Sequence, residues 1–232
     1  APGYPWGALL PDVGRVLDPG GLVVGLARHA LRRGARVVRA EARDFAIGPD
    51  GPRAVLTDSG AIPADAIVVA AGAWSHRLAR RLGSRVPLET ERGYHVTIPD
   101  PGVMPRRMIL PYGDGFIATP MAMGLRIAGT VELASLDAPP DWRRADVLLA
   151  KARALFPGLR TTGATRWMGH RPSLPDSKPV ISRSPVHANV FYAFGHGHLG
   201  LTGAAITGRL IGDVVAGRPP AVDLAPFRVD RF

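Results

Sequence analysis

Val190-Phe191-Tyr192-Ala193-Phe194-Gly195-His196-Gly197-His198-Leu199-Gly200 is the stretch on which the reading of this chain turns. Five apolar or aromatic residues in succession read as a buried strand. The glycines behind them lead into a helical run from Leu201 to Ala216, so strand, glycine loop and helix follow one another directly. Gly195 to Gly200 spells G-x-G-x-x-G, whose literal reading is the pyrophosphate turn that opens a dinucleotide fold. That fold also needs a second parallel strand and an acidic residue about 20 positions on, and a proline-rich tail follows Gly217 instead. The local physics survives the loss of the motif: glycines let backbone approach a ligand, and the helix start offers free N–H groups with partial positive charge. An ordinary glycine-rich turn between strand and helix fits the same residues equally well.

Working outward, Asp18 caps an expected helix with Pro19 in its first turn; Leu22, Leu26 and Ala30 share a face, and Gly34 ends it. Segments 36–42 and 53–57 read as strands about the turn Gly48-Pro49-Asp50-Gly51-Pro52. Ala66 to Ala71 is a continuous apolar run, expected as a strand buried on both faces, ending at Gly72 and followed by a helix from Trp74 to Leu82. From Arg92 to Val131 short alternating segments at 94–98, 107–111, 116–120 and 125–131 predict an antiparallel sheet. A helix is expected over 142–156, strands at 165–170 and 190–194, and a last helix whose face holds Ala204, Gly208, Ile211 and Val215.

With 232 residues, 46% of them hydrophobic, the chain can build a substantial core. No apolar run approaches the ~20 residues that span a bilayer, and Ala1 to Leu10 lacks the basic-then-apolar pattern of a secretory leader. Zero cysteines exclude disulfides and thiol chemistry. The net charge of +10 invites a nucleic-acid reading, yet all but two of the 29 basic residues are arginines, scattered without a basic tract. We therefore expect no nucleic-acid partner, only a positive field that favours anionic ligands.

Three stretches taken together carry a resemblance: Val68 to Ser75; Gly169-His170-Arg171-Pro172-Ser173-Leu174-Pro175-Asp176-Ser177-Lys178-Pro179; and Ala193 to Thr202. In this order and spacing the chain resembles the C-terminal part of the D-amino-acid oxidase superfamily of FAD-dependent oxidoreductases, nearest to bacterial D-amino-acid dehydrogenases. The resemblance implies an α/β, mixed α+β fold: part of a layered FAD-binding sheet with helices, plus an antiparallel substrate domain. Residues 1–86 would hold the entry to the substrate domain and later FAD-domain strands, 87–165 the antiparallel domain, and 166–232 the return to the FAD domain. Family members begin with a βαβ unit bearing the true glycine fingerprint, which this chain enters well after, so a missing N-terminal segment or partner subunit is an expected partner.

The implied activity is oxidative deamination of a small amino acid, most naturally a D-amino acid, by hydride transfer to FAD. A secondary amine of the sarcosine or proline type, or a non-catalytic fragment, are the alternatives. A quinone or other carrier is implied as electron acceptor, and a cytoplasmic location, with peripheral attachment to the inner membrane as a variant. Arg171 occupies the place of the arginine that grips the substrate carboxylate, a task suited to a planar, bidentate guanidinium; a salt-bridged surface arginine is the alternative. Gly195, His196, Gly197, Leu199, Gly200, Leu201 and Thr202 match the segment lying along the flavin, Gly72 the glycine at the cofactor, and Ala42 a backbone contact on the adenine side. His198, Tyr94 and Tyr112 complete the candidate catalytic set. Loop histidines and strand tyrosines also serve as ordinary packing.

Overall fold

The computed structural model describes residues 4–232, so the first three residues of the N-terminal stretch read above for a leader lie outside it. Two compact units emerge: residues 1–37, 92–132 and 138–169 form one, and 38–91, 133–137 and 170–232 the other.

In the first unit, helix α1 (Pro19–Arg32) starts where the capping residues place it, with Asp18 Oδ1 accepting from Gly21 N–H at 2.8 Å. It ends before Gly34, whose φ of +92° suits glycine. Its Leu22–Leu26–Ala30 face is not packed: no residue of α1 is buried. Residues 92–98 of β5 (Glu89–Ile98), all of β6 (Phe116–Met121), residues 124–132 of β7 (Gly124–Leu133) and residues 165–169 of β8 (Thr165–Ser173) belong to this unit, in a sheet of order β6-β7-β5-β8. The tight β6–β7 hairpin puts Met121 opposite Gly124. The segment expected as a strand at 107–111 makes one isolated bridge, Ile109 to Ala118. Apolar residues of β5, β6 and β7, including Tyr94, Val96, Ile98, Phe116, Leu125 and Ile127, pack with Ala145, Leu148, Ala152 and Leu155 of helix α3 (Arg143–Leu155).

In the second unit, β1 (Ala42–Gly48), β2 (Gly51–Thr57) and β3 (Gly60–Pro63) make an antiparallel meander. The first of these begins at residue 42, later than the expected 36–42, because residues 36–41 find no strand partner. A second sheet has the order β4-β10-β9, from β4 (Ile67–Val69), β9 (Val180–Arg183) and β10 (Val190–Phe194). β10 runs parallel to β4 and antiparallel to β9. As the outer strand of this sheet β4 is covered on one face only: Ile67 and Val69 are buried while Val68 is exposed, against the expectation of burial on both sides. Helix α2 (Ser75–Arg81), entered through a 3-10 turn at Gly72–Trp74, and helix α4 (Gly200–Val215) complete the unit. Phe45, Ile67, Leu82, Leu88, Leu174, Val180, Val190, Tyr192 and Phe194 form its core. The buried residues of α4 are Thr207 and Leu210, whereas Ala204, Gly208 and Val215 face outward, so its packed stripe is rotated from the expected one.

Candidate functional site

β4 and β10 lie side by side in parallel, Ile67, Val68 and Val69 opposite Val190, Phe191 and Tyr192. Gly72 and the loop from Gly195 therefore leave the sheet at the same edge, where strand carboxyl ends point and where open parallel sheets place their ligands. This register unites two glycine turns more than 120 residues apart in sequence.

The turns have the geometry that glycine alone takes without strain. Gly72 has φ +55° and open space where a side chain would stand. Gly195 has φ +85°, and a Cβ there would meet Leu174 Cδ1 at 2.5 Å, so the loop lies flush on a buried leucine. Gly197, at φ +51°, starts a 3-10 turn through Leu199 that feeds α4. That 16-residue helix carries no side-chain cap and no acid in its first turn, so the donors every helix leaves at its start are not taken up by a capping side chain. Leu199 and Leu201 stand exposed beside it. Among the described residues no strand follows α4.

His196 does not point away from this scaffold. Its Cβ lies beside Gly200 and its ring beside Gly203, and its Nε2 shares a 2.9 Å hydrogen bond with Thr207 Oγ1, tying the loop to α4. Burial pushes its pKa below the usual histidine range.

Arg171 projects from β8, half-buried, in the same unit. Its Nη1 donates to the Glu91 carbonyl oxygen at 3.5 Å. Burial draws the guanidinium pKa below its ordinary value, while the Glu91 charge opposes that shift. The Glu91 carboxylate lies 3.9 Å from His198 Nδ1, with both side chains partly exposed. Next to Arg171, His170 Nδ1 shares a 2.9 Å hydrogen bond with Thr90 Oγ1 and meets the Trp74 ring edge-on at 5.3 Å. A guanidinium, a carboxylate and two imidazoles thus collect from β5, β8 and the loop before α4.

Three candidates stand elsewhere. The Tyr94 side chain is 1% exposed; its hydroxyl donates to Glu132 Oε2 at 2.5 Å and accepts from Asp141 N–H at 2.9 Å, leaving it engaged inside the first unit. Tyr112 is 96% exposed in the turn after the Ile109 bridge. Ala42 opens β1 opposite Thr57, in the meander and not in the β4–β10 sheet. Glu91, Thr90, His170 and Trp74 escaped the reading of the sequence. For Glu91 a signal existed: β5 buries its even positions from Thr90 to Ile98, so strand alternation turns Glu91 to the face opposite Tyr94. Among the described residues no cluster of histidines and acids could hold a metal ion.

Similarity to known proteins bears directly on this arrangement. A family model described as FAD dependent oxidoreductase matches residues 1–214. A D-amino-acid oxidase of Bradyrhizobium diazoefficiens is 45% identical over 100% of this chain and 56% of its own length. A D-amino acid dehydrogenase of the same organism is 34% identical, over 89% of this chain and 50% of its own. The crystal structure of glycine oxidase from Geobacillus kaustophilus superposes with a TM-score of 0.80 at 28% identity, covering 91% of this chain and 57% of that one. The chain thus spans about half the length of these relatives. With 214 of its 232 residues matched, the chain belongs to the family of FAD-dependent oxidoreductases that includes D-amino-acid oxidase.

Proposed function

We propose that this chain forms the substrate-facing part of a flavoenzyme that oxidises a small D-amino acid to its imine, which water converts to oxo acid and ammonia. The observation that carries the proposal is the half-buried Arg171 in the same unit as the two glycine turns at the carboxyl edge of β4 and β10. Those turns fit a flat, electron-rich ring. Gly72 leaves open space in front of its Cα, the start of α4 lacks a cap, and exposed Leu199 and Leu201 offer an apolar wall. Bound FAD supplies the hydride acceptor.

The residues of this chain would do the rest. Arg171 holds the substrate carboxylate with two parallel hydrogen bonds, fixing orientation as well as charge. The N–H groups opening α4 favour negative charge in front of them, so they lower the barrier of any step that builds charge there. His196, clamped to Thr207, keeps Gly197 to Leu199 in place. Positioning and charge stabilisation can account for much of a barrier reduction without a side-chain base. Tyr94 has no part in this scheme, because its hydroxyl is engaged with Glu132 and Asp141.

Replacing Arg171 with Ala or Lys in the natural full-length protein should raise KM for D-amino acids steeply while flavin absorption is retained. Unchanged kinetics would remove Arg171 from the site, and a flavin that no member of a panel of D- and L-amino acids bleaches would remove the reaction.

A further inference from the structure

Glu91 is a charge that the proposed chemistry does not explain. It sits at the beginning of β5, and its own carbonyl accepts from Arg171 Nη1 while its carboxylate approaches His198 to 3.9 Å. Strands β5 and β8 are neighbours in the sheet, and neighbouring strands stand about 4.8 Å apart. The Glu91 charge acts on the Arg171 guanidinium, so a cation and an anion stand close together here. An α-amino acid at neutral pH carries the complementary pair, its carboxylate and ammonium borne on one carbon.

We propose that Glu91 is the residue that selects amino acids, receiving the substrate's ammonium while Arg171 receives its carboxylate. This rests on the function proposed above. Complementary potentials of this kind mainly set specificity, and here the discrimination has two parts. An ammonium gains a charge-assisted hydrogen bond from Glu91. A ligand with a carboxylate and no amine meets a like charge beside the arginine and gains nothing in return, which is discrimination by repulsion. His198 Nδ1 stands 3.9 Å from the same carboxylate. No bond to carbon is made or broken in this step; the bound ammonium releases one proton to water before the hydride leaves Cα, because only the neutral amine has the lone pair that forms the imine.

The test uses the natural full-length holoenzyme, kept anaerobic with its flavin reduced so that D-alanine binds without turnover. Calorimetric titrations compare D-alanine with propanoate, which keeps the carboxylate and lacks the amine. Wild type should prefer D-alanine by about tenfold or more, the worth of one charge-assisted hydrogen bond. Glu91→Gln should weaken D-alanine by a similar factor and tighten propanoate, a response of opposite sign that a loosened structure would not produce. Equal changes for both ligands, or none, would overturn the role of Glu91. If Glu91→Gln fails to fold, the wild-type comparison still decides, since equal affinities for the two ligands overturn the proposal. Arg171→Ala should weaken both ligands; if it weakens neither, the underlying function fails, and that result is distinct from a failure of Glu91 alone.

Discussion

Replacing Arg92 with Met tests whether the core of the antiparallel unit depends on a buried charge network. Arg92 is 1% exposed. Its guanidinium meets Glu132 Oε2 at 2.7 Å through Nη2 and at 2.9 Å through Nε, and donates to the carbonyls of Ala138 at 2.5 Å and Pro139 at 3.0 Å. Glu132 is nearly as deep, with its side chain 13% exposed, and it also accepts from Tyr94. Methionine fills much of the volume but strands the Glu132 carboxylate and two carbonyls without their donor. Breaking a buried pair from one side costs about 3–5 kcal/mol, a large part of the ~5–15 kcal/mol that holds a domain together.

Urea unfolding of wild type, Arg92→Met, Glu132→Gln and the double variant Arg92→Met/Glu132→Gln provides the assay. Removing the second charge should recover about 1 kcal/mol or more, because the stranded carboxylate is gone. Acidity adds an independent check. Burial would raise the Glu132 pKa, but the hydrogen bonds from Tyr94 and Arg92 and the neighbouring arginine charges hold it below its ordinary value. A carboxyl depressed in the folded state stabilises the fold above its unfolded pKa, and that contribution fades as pH falls through the folded value. The acid-side loss due to Glu132 should therefore shrink in Arg92→Met, where Tyr94 and Arg144 still act on the carboxyl. A cost for Arg92→Met below about 1 kcal/mol, or a double variant as weak as the sum of its parts, would refute the reasoning.

Two further expectations follow from single residues. Gly195→Ala must take φ +85° and push against Leu174, a cost of about 1–3 kcal/mol, and should lower both melting temperature and flavin retention in the full-length protein; a variant with native flavin content would argue against a close approach at this loop. The Arg231 hydrogen bonds, working against burial, lower the pKa of Asp176 to about 2. Their contribution is present above the ordinary carboxyl range and is lost as pH falls toward that value, so melting curves of Arg231→Gln should show a shallower acid decline than those of wild type.

Local signals were legible where physics is local. The Asp18 cap, the glycine that closes α1, the turn at Gly72 and the start of α4, expected at Leu201 and found at Gly200, depend on residues within a few positions of one another. β9 escaped because its four residues, Val180 to Arg183, follow Pro179 and carry little pattern of their own. The stripe of α4 was misjudged because Gly203 and Thr207, small and polar, pack against His196 and carry no hydrophobic signal. Tyr94 stands in the candidate catalytic set although its ring is buried, because an aromatic on a strand does not reveal which face is core.

Capping residues, apolar periodicity and glycine turns determined by themselves that this chain mixes helices and strands, and the order of its motifs carries the likeness to a layered flavoprotein fold. Only the tertiary structure decided which charges meet. Arg92 finds Glu132 across 40 residues, and Arg171 finds Glu91 across 80. The reason is physical: the torsions of a cap or turn are set by neighbours in the chain, whereas an ion pair is set by strand order and register, which place residues together whatever their distance in sequence.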